Sequence, residues 1–467
     1  MDSISDREIA EPLARARALA ARAEDAAARE AYLEVLRRDP THCIALNELG
    51  NLALSGGFRS AARTAYLQAV QHHPANKVAH VNLANLLRVE RDVAGARRHY
   101  EAALAIDPEM PEAHQGLGWV LDELGAPGAE WHREKGYAGH ALVTQPYRGT
   151  GAGIPLLLLV SARVGNIATA HWLSDRRYSI TAIYADYYPL DARLPPHALI
   201  VNAVSDADLC GPALERARIL IAASDVPVLN APARVQLTRR LDNARRLAGI
   251  DGVIAPAIRA MTPQAVLSAN DLRFPLLLRR PGFHNGEYFA LVKHRDGLSE
   301  TVAALCGDEL LVIEYLDARG ADGMARKYRV MFIDGVAYPL HLAISADWKV
   351  HYVTSAMRHS AALREEERRF LQCMPAVLGP RAMAALAQIC ATLGLDYAGI
   401  DFALAPDGSV MLFEANATMI VFSPDPDPIW DYRRAAIDAV MAAAAGMVLR
   451  RAGRDDELAA APVGALT

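Results

Sequence analysis

The chain has 467 residues, with 49 Lys+Arg against 54 Asp+Glu, a formal net charge of -5 and a hydrophobic fraction of 52%. That length predicts two or three domains, the apolar content excludes disorder as the global state, and the near-balanced charge argues against a nucleic-acid partner. Five cysteines (Cys43, Cys210, Cys306, Cys373, Cys390) form no CxxC pair, which argues against a disulfide framework or a zinc site and predicts a cytoplasmic setting. The N-terminus carries no basic segment followed by an apolar one, so no signal peptide is expected. The apolar stretches starting at Ile154 and Ala439 fall short of the roughly 20 residues that a membrane helix needs, so no membrane partner is expected either.

Alanine and arginine crowd the first 140 residues, whereas β-branched runs punctuated by Gly and Pro lie beyond residue 150. The front segment repeats. Pro40, Pro74 and Pro108 are 34 apart, as are Tyr32, Tyr66 and Tyr100, and Ala28, Ala62 and Ala96. Three columns in one register resemble the tetratricopeptide repeat (TPR), a pair of antiparallel helices that cross closely over small residues. Units are expected at residues 9–42, 43–76 and 77–110, with a weaker one from Pro111 that lacks the later Ala and Tyr columns, as a capping repeat does. Asn51 and Asn85 are 34 apart and Arg88 lies one turn further on. These three are candidates for holding an extended peptide in a groove, because an amide offers both donors and acceptors; the alternative is that the asparagines satisfy groups within the array.

Residues 142–153 read as a Gly-rich linker. Beyond them, strands alternate with helices: a strand at 154–162, a helix over 163–175, strands at 178–185 and 198–205, and a helix from Gly211 before Val226–Asn230. This pattern predicts a small parallel sheet, whose strand ends hold Gly165, Asn166 and Asn202. Asn230 and Pro232 then start a helix expected to carry Arg239 and Arg240.

Four segments further on carry the chemistry. Residues 274–292 predict a strand ending at Arg279 and Arg280, a flap containing Gly282, His284, Asn285 and Gly286, and a returning strand; free backbone N–H groups in such a loop suit phosphate. Of the two arginines, Arg280 is expected to point inward. In residues 310–338 an apolar strand ends in Glu314, Tyr315 and Leu316, and Lys327 and Arg329 lie two apart on the next strand, so they share a face. Residues 339–357 predict a strand, a loop and a strand carrying His341, Ser345, Trp348, Lys349, His351 and Tyr352, a polar and aromatic run suited to a carboxylate or amine substrate. Residues 397–419 predict a hairpin around Pro406-Asp407-Gly408, which sets Asp401 opposite Glu414 and Asn416 to within one residue of register. Two carboxylates and an amide oxygen at one spot are hard donors suited to Mg²⁺ on phosphates, and burying the carboxylates unpaired would cost several kcal/mol; the alternative is that Asp401 and Glu414 pair with arginines and line no site.

Taken together and in this order, these segments resemble the ATP-grasp superfamily, in the form of the ATP-binding domain of glutathione synthetase. The likeness spans about residues 154–450. It implies Asp401, Glu414 and Asn416 as metal ligands, with Arg240, Arg280, Gly282, His284, Asn285, Gly286 and Lys327 on phosphate. It also implies Glu314, Tyr315 and Leu316 as the hinge meeting adenine, and Arg329 with Arg280 as catalytic cations. The family usually has lysine where Arg240 and Arg280 stand.

The expected architecture is therefore multidomain: an all-α TPR solenoid over 1–141, the linker, an α/β pre-ATP-grasp domain over 154–230, an α+β ATP-grasp fold over 231–450 and a disordered tail over 451–467. The resemblance implies ATP and Mg²⁺ as cofactors and an ADP-forming carboxylate-amine ligase acting through an acylphosphate. A peptide, protein or amino acid is its substrate, the repeats recruit a protein partner, and a homodimer is a common arrangement for such folds. A version in which a free amino acid is modified uses the repeats only for assembly. The alternative is a TPR scaffold whose ATP-grasp domain senses nucleotide without turning it over.

Overall fold

The computed structural model describes residues 6–282, 288–350, 352, 355–425 and 427–454. The chain divides into two compact units, Met1–Gly153 with Asp175–Ser179 and Tyr187–Pro189, and Ile154–Ser174 with Ile180–Asp186 and Leu190–Thr467. The second unit holds the segments on both sides of residue 230.

In the first unit, helices α1 (Asp6–Ala21) and α2 (Asp25–Arg38), α3 (Cys43–Ser55) and α4 (Arg59–His72), α5 (Lys77–Val89) and α6 (Val93–Ile106), and α7 (Pro111–Glu123) and α8 (Ala129–Tyr137) form four successive pairs. Helices α3, α5 and α7 begin 34 residues apart, and α2, α4 and α6 each end two residues before the repeated proline. Proline cannot continue a helix, and its carbonyl is used instead: Pro74 O and Pro108 O accept from His80 and His114 at 3.0 and 2.9 Å. Asn76 and Asp92 cap α5 and α6 by accepting the N–H of Ala79 and Gly95.

The alanine column is fully buried and the tyrosine column nearly so. Each tyrosine fits because its neighbour is small: a Cβ on Gly50 would lie 2.3 Å from the Tyr66 ring and one on Gly116 would lie 2.1 Å from Tyr100. The final pair, which lacks the tyrosine, buries Arg133 beside Gly118 and satisfies it with Asp122 and Glu130. A short strand β1 (Leu142–Thr144) occupies the start of the segment expected to be a linker.

Among the described residues the second unit contains three sheets. In the first, strands β3 (Tyr178–Tyr184), β2 (Ile154–Val160), β4 (Leu199–Asn202) and β5 (Val228–Leu229) lie in that order, with β2, β4 and β5 parallel, and α9 (Gly211–Ile221) precedes β5. The helix expected over 163–175 is absent except for one 3₁₀ turn at Thr169–His171. Gly165 has φ +93, and the Asn166 amide folds back on Ser161 through both its N–H and its C=O, so the chain turns before a helix can nucleate.

The helix expected to carry both Arg239 and Arg240 is two helices, α10 (Pro232–Gln236) and α11 (Arg240–Leu247), because the Thr238 hydroxyl bonds back to Val235 O at 2.7 Å and Arg239 becomes the cap of the second. The second sheet is antiparallel, ordered β7 (Ile258–Met261), β10 (Leu310–Glu314), β8 (Leu276–Arg279), β9 (Phe289–Val292), with α12 (Pro263–Ser268) and α13 (Leu298–Leu305). The third runs β12 (Val336–Ser345), β11 (Ala325–Ile333), β13 (Tyr397–Leu404), β14 (Val410–Asn416), β6 (Val253–Ile254), and α14 (Ala361–Gln372), α15 (Met374–Leu393) and α16 (Arg434–Arg451) contact it. Of the described helices, α15 alone is long and apolar enough to cross a membrane, yet Gly379 at φ +78 interrupts it. Of the stretch expected to run strand, loop, strand over 339–357, the described residues form the first strand, to Ser345, and a 3₁₀ turn at Ala356–His359, with no second strand among them.

Candidate functional site

The third sheet of the second unit carries a polar row perpendicular to its strands. Arg329 on β11 pairs with His341 on β12 and with Asp401 on β13, and Asp401 pairs with Glu414 on β14. The hairpin predicted from 397–419 therefore sets Asp401 opposite Glu414, with an irregularity in the ladder just after Asp401. Alternation turns Tyr328 and Phe402 the other way, where they stack at 5.4 Å in the core.

Within the row the charges are matched. Asp401, 4% exposed, accepts from Arg329 Nε and Nη2 at 2.6 and 2.8 Å, and Lys327 Nζ stands 3.1 Å away. Burial alone would raise the Asp401 carboxyl, but Arg329 and Lys327 outweigh it and hold the group well below the usual carboxylate range. Glu414 accepts from Arg240 Nη2 at 2.6 Å and from the Asn416 amide at 2.8 Å. His341 is buried; burial first and Arg329 second push it well below its ordinary value, so it is neutral at pH 7.

This row forms one wall of a cavity of about 1060 Å³ inside the second unit. The wall is basic: seven Arg and Lys side chains line it against four Asp and Glu, a sign opposite to that of the whole chain. Apolar side chains including Ile258, Leu277, Ile313 and Leu412 complete it. A smaller cavity of about 240 Å³ shares Arg240, Arg279 and Glu414 with it and adds Gly282 and Asn416.

Most of the residues singled out in the sequence lie on these walls. Glu314, Tyr315, Leu316, Lys327, Arg329, His341, Trp348 and Lys349 line the larger cavity. Glu314 also accepts the Ala257 N–H through its side chain at 3.0 Å, which ties β10 to the segment before β7. Ser345 is buried but accepts from Asp347 N at 3.1 Å and lines neither cavity. His284, Asn285, Gly286 and His351 lie outside the described residues.

Two expectations change. The inward arginine is Arg279, not Arg280. Leu276 and Leu278 fill the core, so the opposite phase of β8 presents Leu277 and Arg279 to the cavity, while Arg280 lies over the Tyr288 ring at 5.4 Å. Burial, and then Arg240, push the Arg279 guanidinium down to about 10. The second change concerns compensation: protein cations stand against both carboxylates, Arg329 and Lys327 against the buried Asp401 and Arg240 against the partly buried Glu414.

Among the described residues no three His, Cys, Asp or Glu side chains converge as a metal cluster. Asp401, Glu414 and Asn416 nevertheless offer hard oxygen donors on one hairpin, and that donor set fits Mg²⁺ in kind.

At the far end of the cavity sequence reasoning named His341 and Tyr352 but missed Arg433 and Glu367. Arg433, 11% exposed at its side chain, lies over the Tyr352 ring at 4.1 Å, and Glu367, fully buried on α14, accepts from Tyr352 OH at 2.9 Å and from Tyr432 OH. The one signal available was the dense Trp430-Asp431-Tyr432-Arg433 run.

In the first unit the asparagine column works internally. Tyr66 OH and Tyr100 OH donate to the amide oxygens of Asn51 and Asn85 at 2.7 and 2.5 Å, and Arg88 lies over the Trp119 ring at 5.0 Å. The tetratricopeptide-repeat family matches residues 47–111 and 81–140. The N-terminal region is a TPR array. Solved structures similar to it include a MamA fragment from Desulfovibrio magneticus RS-1, at 21% identity over 28% of this chain and 74% of that one, with a TM-score of 0.26. The first TPR of Spaghetti (RPAP3) bound to an HSP90 peptide shows 14% identity over 26% of this chain and 98% of that one, with a TM-score of 0.25. Pseudomonas aeruginosa pilF shows 20% identity over 28% and 61%, with a TM-score of 0.26. No curated protein sequence matches the chain.

Proposed function

We propose that the second unit binds ATP with Mg²⁺ and joins a carboxylate to an amine with release of ADP and phosphate, while the TPR array, a protein-interaction scaffold, recruits a peptide or protein substrate. The observation that carries this reading is the basic wall of the large cavity in a chain of net negative charge. A ligand bearing several negative charges is the natural complement of such a wall, and a water-poor site strengthens each contact.

The residues divide by position. Ile258, Leu277, Ile313 and Leu412 cover the planar base, beside the backbone of Glu314–Leu316. Arg279 and Arg240 meet phosphate oxygens, Arg279 through a planar fork. Arg329, fixed by Asp401, presents its charge where a carboxylate becomes an acylphosphate, and Lys327 supports it. Asp401, Glu414 and Asn416 would hold Mg²⁺, which when bound supplies charge neutralisation of the phosphates.

One observation favours a second reading. Asp401 is already locked to Arg329 and Lys327, so the machinery could hold nucleotide without using it, as a sensor attached to a TPR scaffold. An ADP-release assay separates the two. Purified protein with ATP, Mg²⁺ and pools of amino acids and peptides is expected to release ADP above a Glu414→Ala control in at least one pool; release equal to the control in every pool rejects the ligase reading.

A further inference from the structure

We propose that the end of the large cavity walled by Arg433, Tyr352 and His341 is a carboxylate-recognition subsite that seats the acidic group of the substrate. This rests on the ligase reading of the same cavity and names the chemical class its substrate must present.

Arg433 ends the 3₁₀ turn Pro428–Arg433 and caps α16, so its backbone is held at both sides. Its guanidinium carbon lies 4.1 Å from the centre of the Tyr352 ring, and both side chains line the cavity. Behind this wall Glu367 is fully buried, and Leu342 N at 3.3 Å, Tyr352 OH at 2.9 Å and Tyr432 OH all donate to it. Arg433 Nε stands 3.4 Å from Glu367 Oε1 but makes no hydrogen bond there, and the Arg433 side chain makes no hydrogen bond to any described residue. Glu367 thus holds the tyrosine on which the guanidinium rests and is its ion-pair partner, while the Arg433 N–H groups have no hydrogen-bond acceptor among the described residues.

A guanidinium with a counter-ion but no hydrogen-bond acceptor still has N–H donors to offer a bound anion. His341 repeats the pattern. It is 7% exposed and lines the cavity, and its Nδ1 is buried without a partner. A neutral imidazole carries one N–H and can donate to a bound oxygen. One planar fork and one neutral donor suit a planar carboxylate in two-point contact; a phosphate is served better by the several cations around Arg240 and Arg279. The site is also placed for the chemistry, since His341 is the cross-strand neighbour of Arg329.

The source of the carboxylate is either a C-terminus or an acidic side chain, and two probes separate them. N-acetyl-L-alanine carries only a terminal carboxylate, and the α-amide of N-acetyl-L-glutamate carries only a side-chain one. Each is titrated into the full-length protein by ligand-observed NMR, with ATP–Mg²⁺ affinity measured in parallel, for the wild type, Arg433→Gln and Arg433→Lys. At least one probe is expected to bind the wild type in the millimolar range. Binding should weaken about tenfold in Arg433→Gln and less in Arg433→Lys, with ATP affinity unchanged in both. The methyl ester of the probe that binds should not compete, and this control needs only wild-type protein. Failure of both probes to bind the wild type, equal binding to Arg433→Gln, or equal competition by the ester would overturn the subsite. ATP binding that persists in those cases leaves the nucleotide reading standing, whereas its absence in the wild type sinks that reading separately.

Discussion

Replacing Asp401 by Asn keeps the shape of the side chain and removes the one charge that Arg329 and Lys327 share. The cost can be worked from the geometry. Two contacts from Arg329 at 2.6 and 2.8 Å and one from Lys327 at 3.1 Å fall on a carboxylate that is 4% exposed. At that separation each charge pair gains about 6 kcal/mol before desolvation with an effective dielectric constant near 20. Most of this is offset by burying the ions, so the pair adds little net stability. Removing one partner is different, because two cations with side chains only 22% and 16% exposed are left facing each other. Broken buried pairs cost about 3–5 kcal/mol, and that is the loss expected for Asp401→Asn. Native-state hydrogen exchange on the intact protein reads it locally: β11, β13 and β14 should lose about 3–5 kcal/mol of opening free energy, while residues 43–137 stay unchanged as an internal control. A loss below about 1 kcal/mol would refute the claim that Asp401 is the counter-ion on which the row depends.

Other outcomes follow from the same structure. Gly50→Ala and Gly116→Ala drive a methyl into the Tyr66 and Tyr100 rings, so each should destabilise the TPR array by about 1–3 kcal/mol, read by exchange protection of α3–α8; no change would show that the tyrosines move freely. His99 and His132 are held below their ordinary value by burial first and then by His80 and His114, with Arg98 acting in the same sense on His99, and Asp92 and Glu101 opposing. The unfolded chain therefore takes up protons first, so array stability should be full above about pH 6.5 and fall as acid titrates His99 and His132; a flat profile from pH 7.5 to 5 would contradict the assignment. Because protein cations already balance Asp401 and Glu414, chelation with EDTA should leave the unfolding midpoint of the ligand-free protein unchanged, and a drop of several degrees would mean that the fold depends on a metal.

How much could be read from residues alone varied with the range of the interaction. The repeats were legible because their columns recur every 34 residues and each column has one steric task, alanine at the crossing and tyrosine over it. The Asp401–Glu414 pairing was legible because a tight Asp-Gly turn fixes a hairpin's register to within a residue. The phase of Arg279 against Arg280 was not, since a run of three leucines gives no alternation and only the packing of Leu276 and Leu278 decides it. The missing helix after β2 turned on the side chain of Asn166 closing its own loop, a local bond that competes with helix formation. The neutralisation of Asp401 lay in plain view as Lys327 and Arg329, yet a shared face does not say which partner the face meets. Arg433, Tyr352 and Glu367 come from three separated segments and converge only through tertiary packing.

The central claim is that the large cavity of the second unit is a nucleotide site, and calorimetric titration of ATP with Mg²⁺ into the full-length protein tests it most directly. The account predicts saturable binding to the wild type, weakened about tenfold or more by Arg279→Ala, which removes the buried fork, and little altered by Arg280→Ala, which lies outside the cavity. No binding to the wild type at millimolar ATP, or equal binding to wild type and Arg279→Ala, would contradict it.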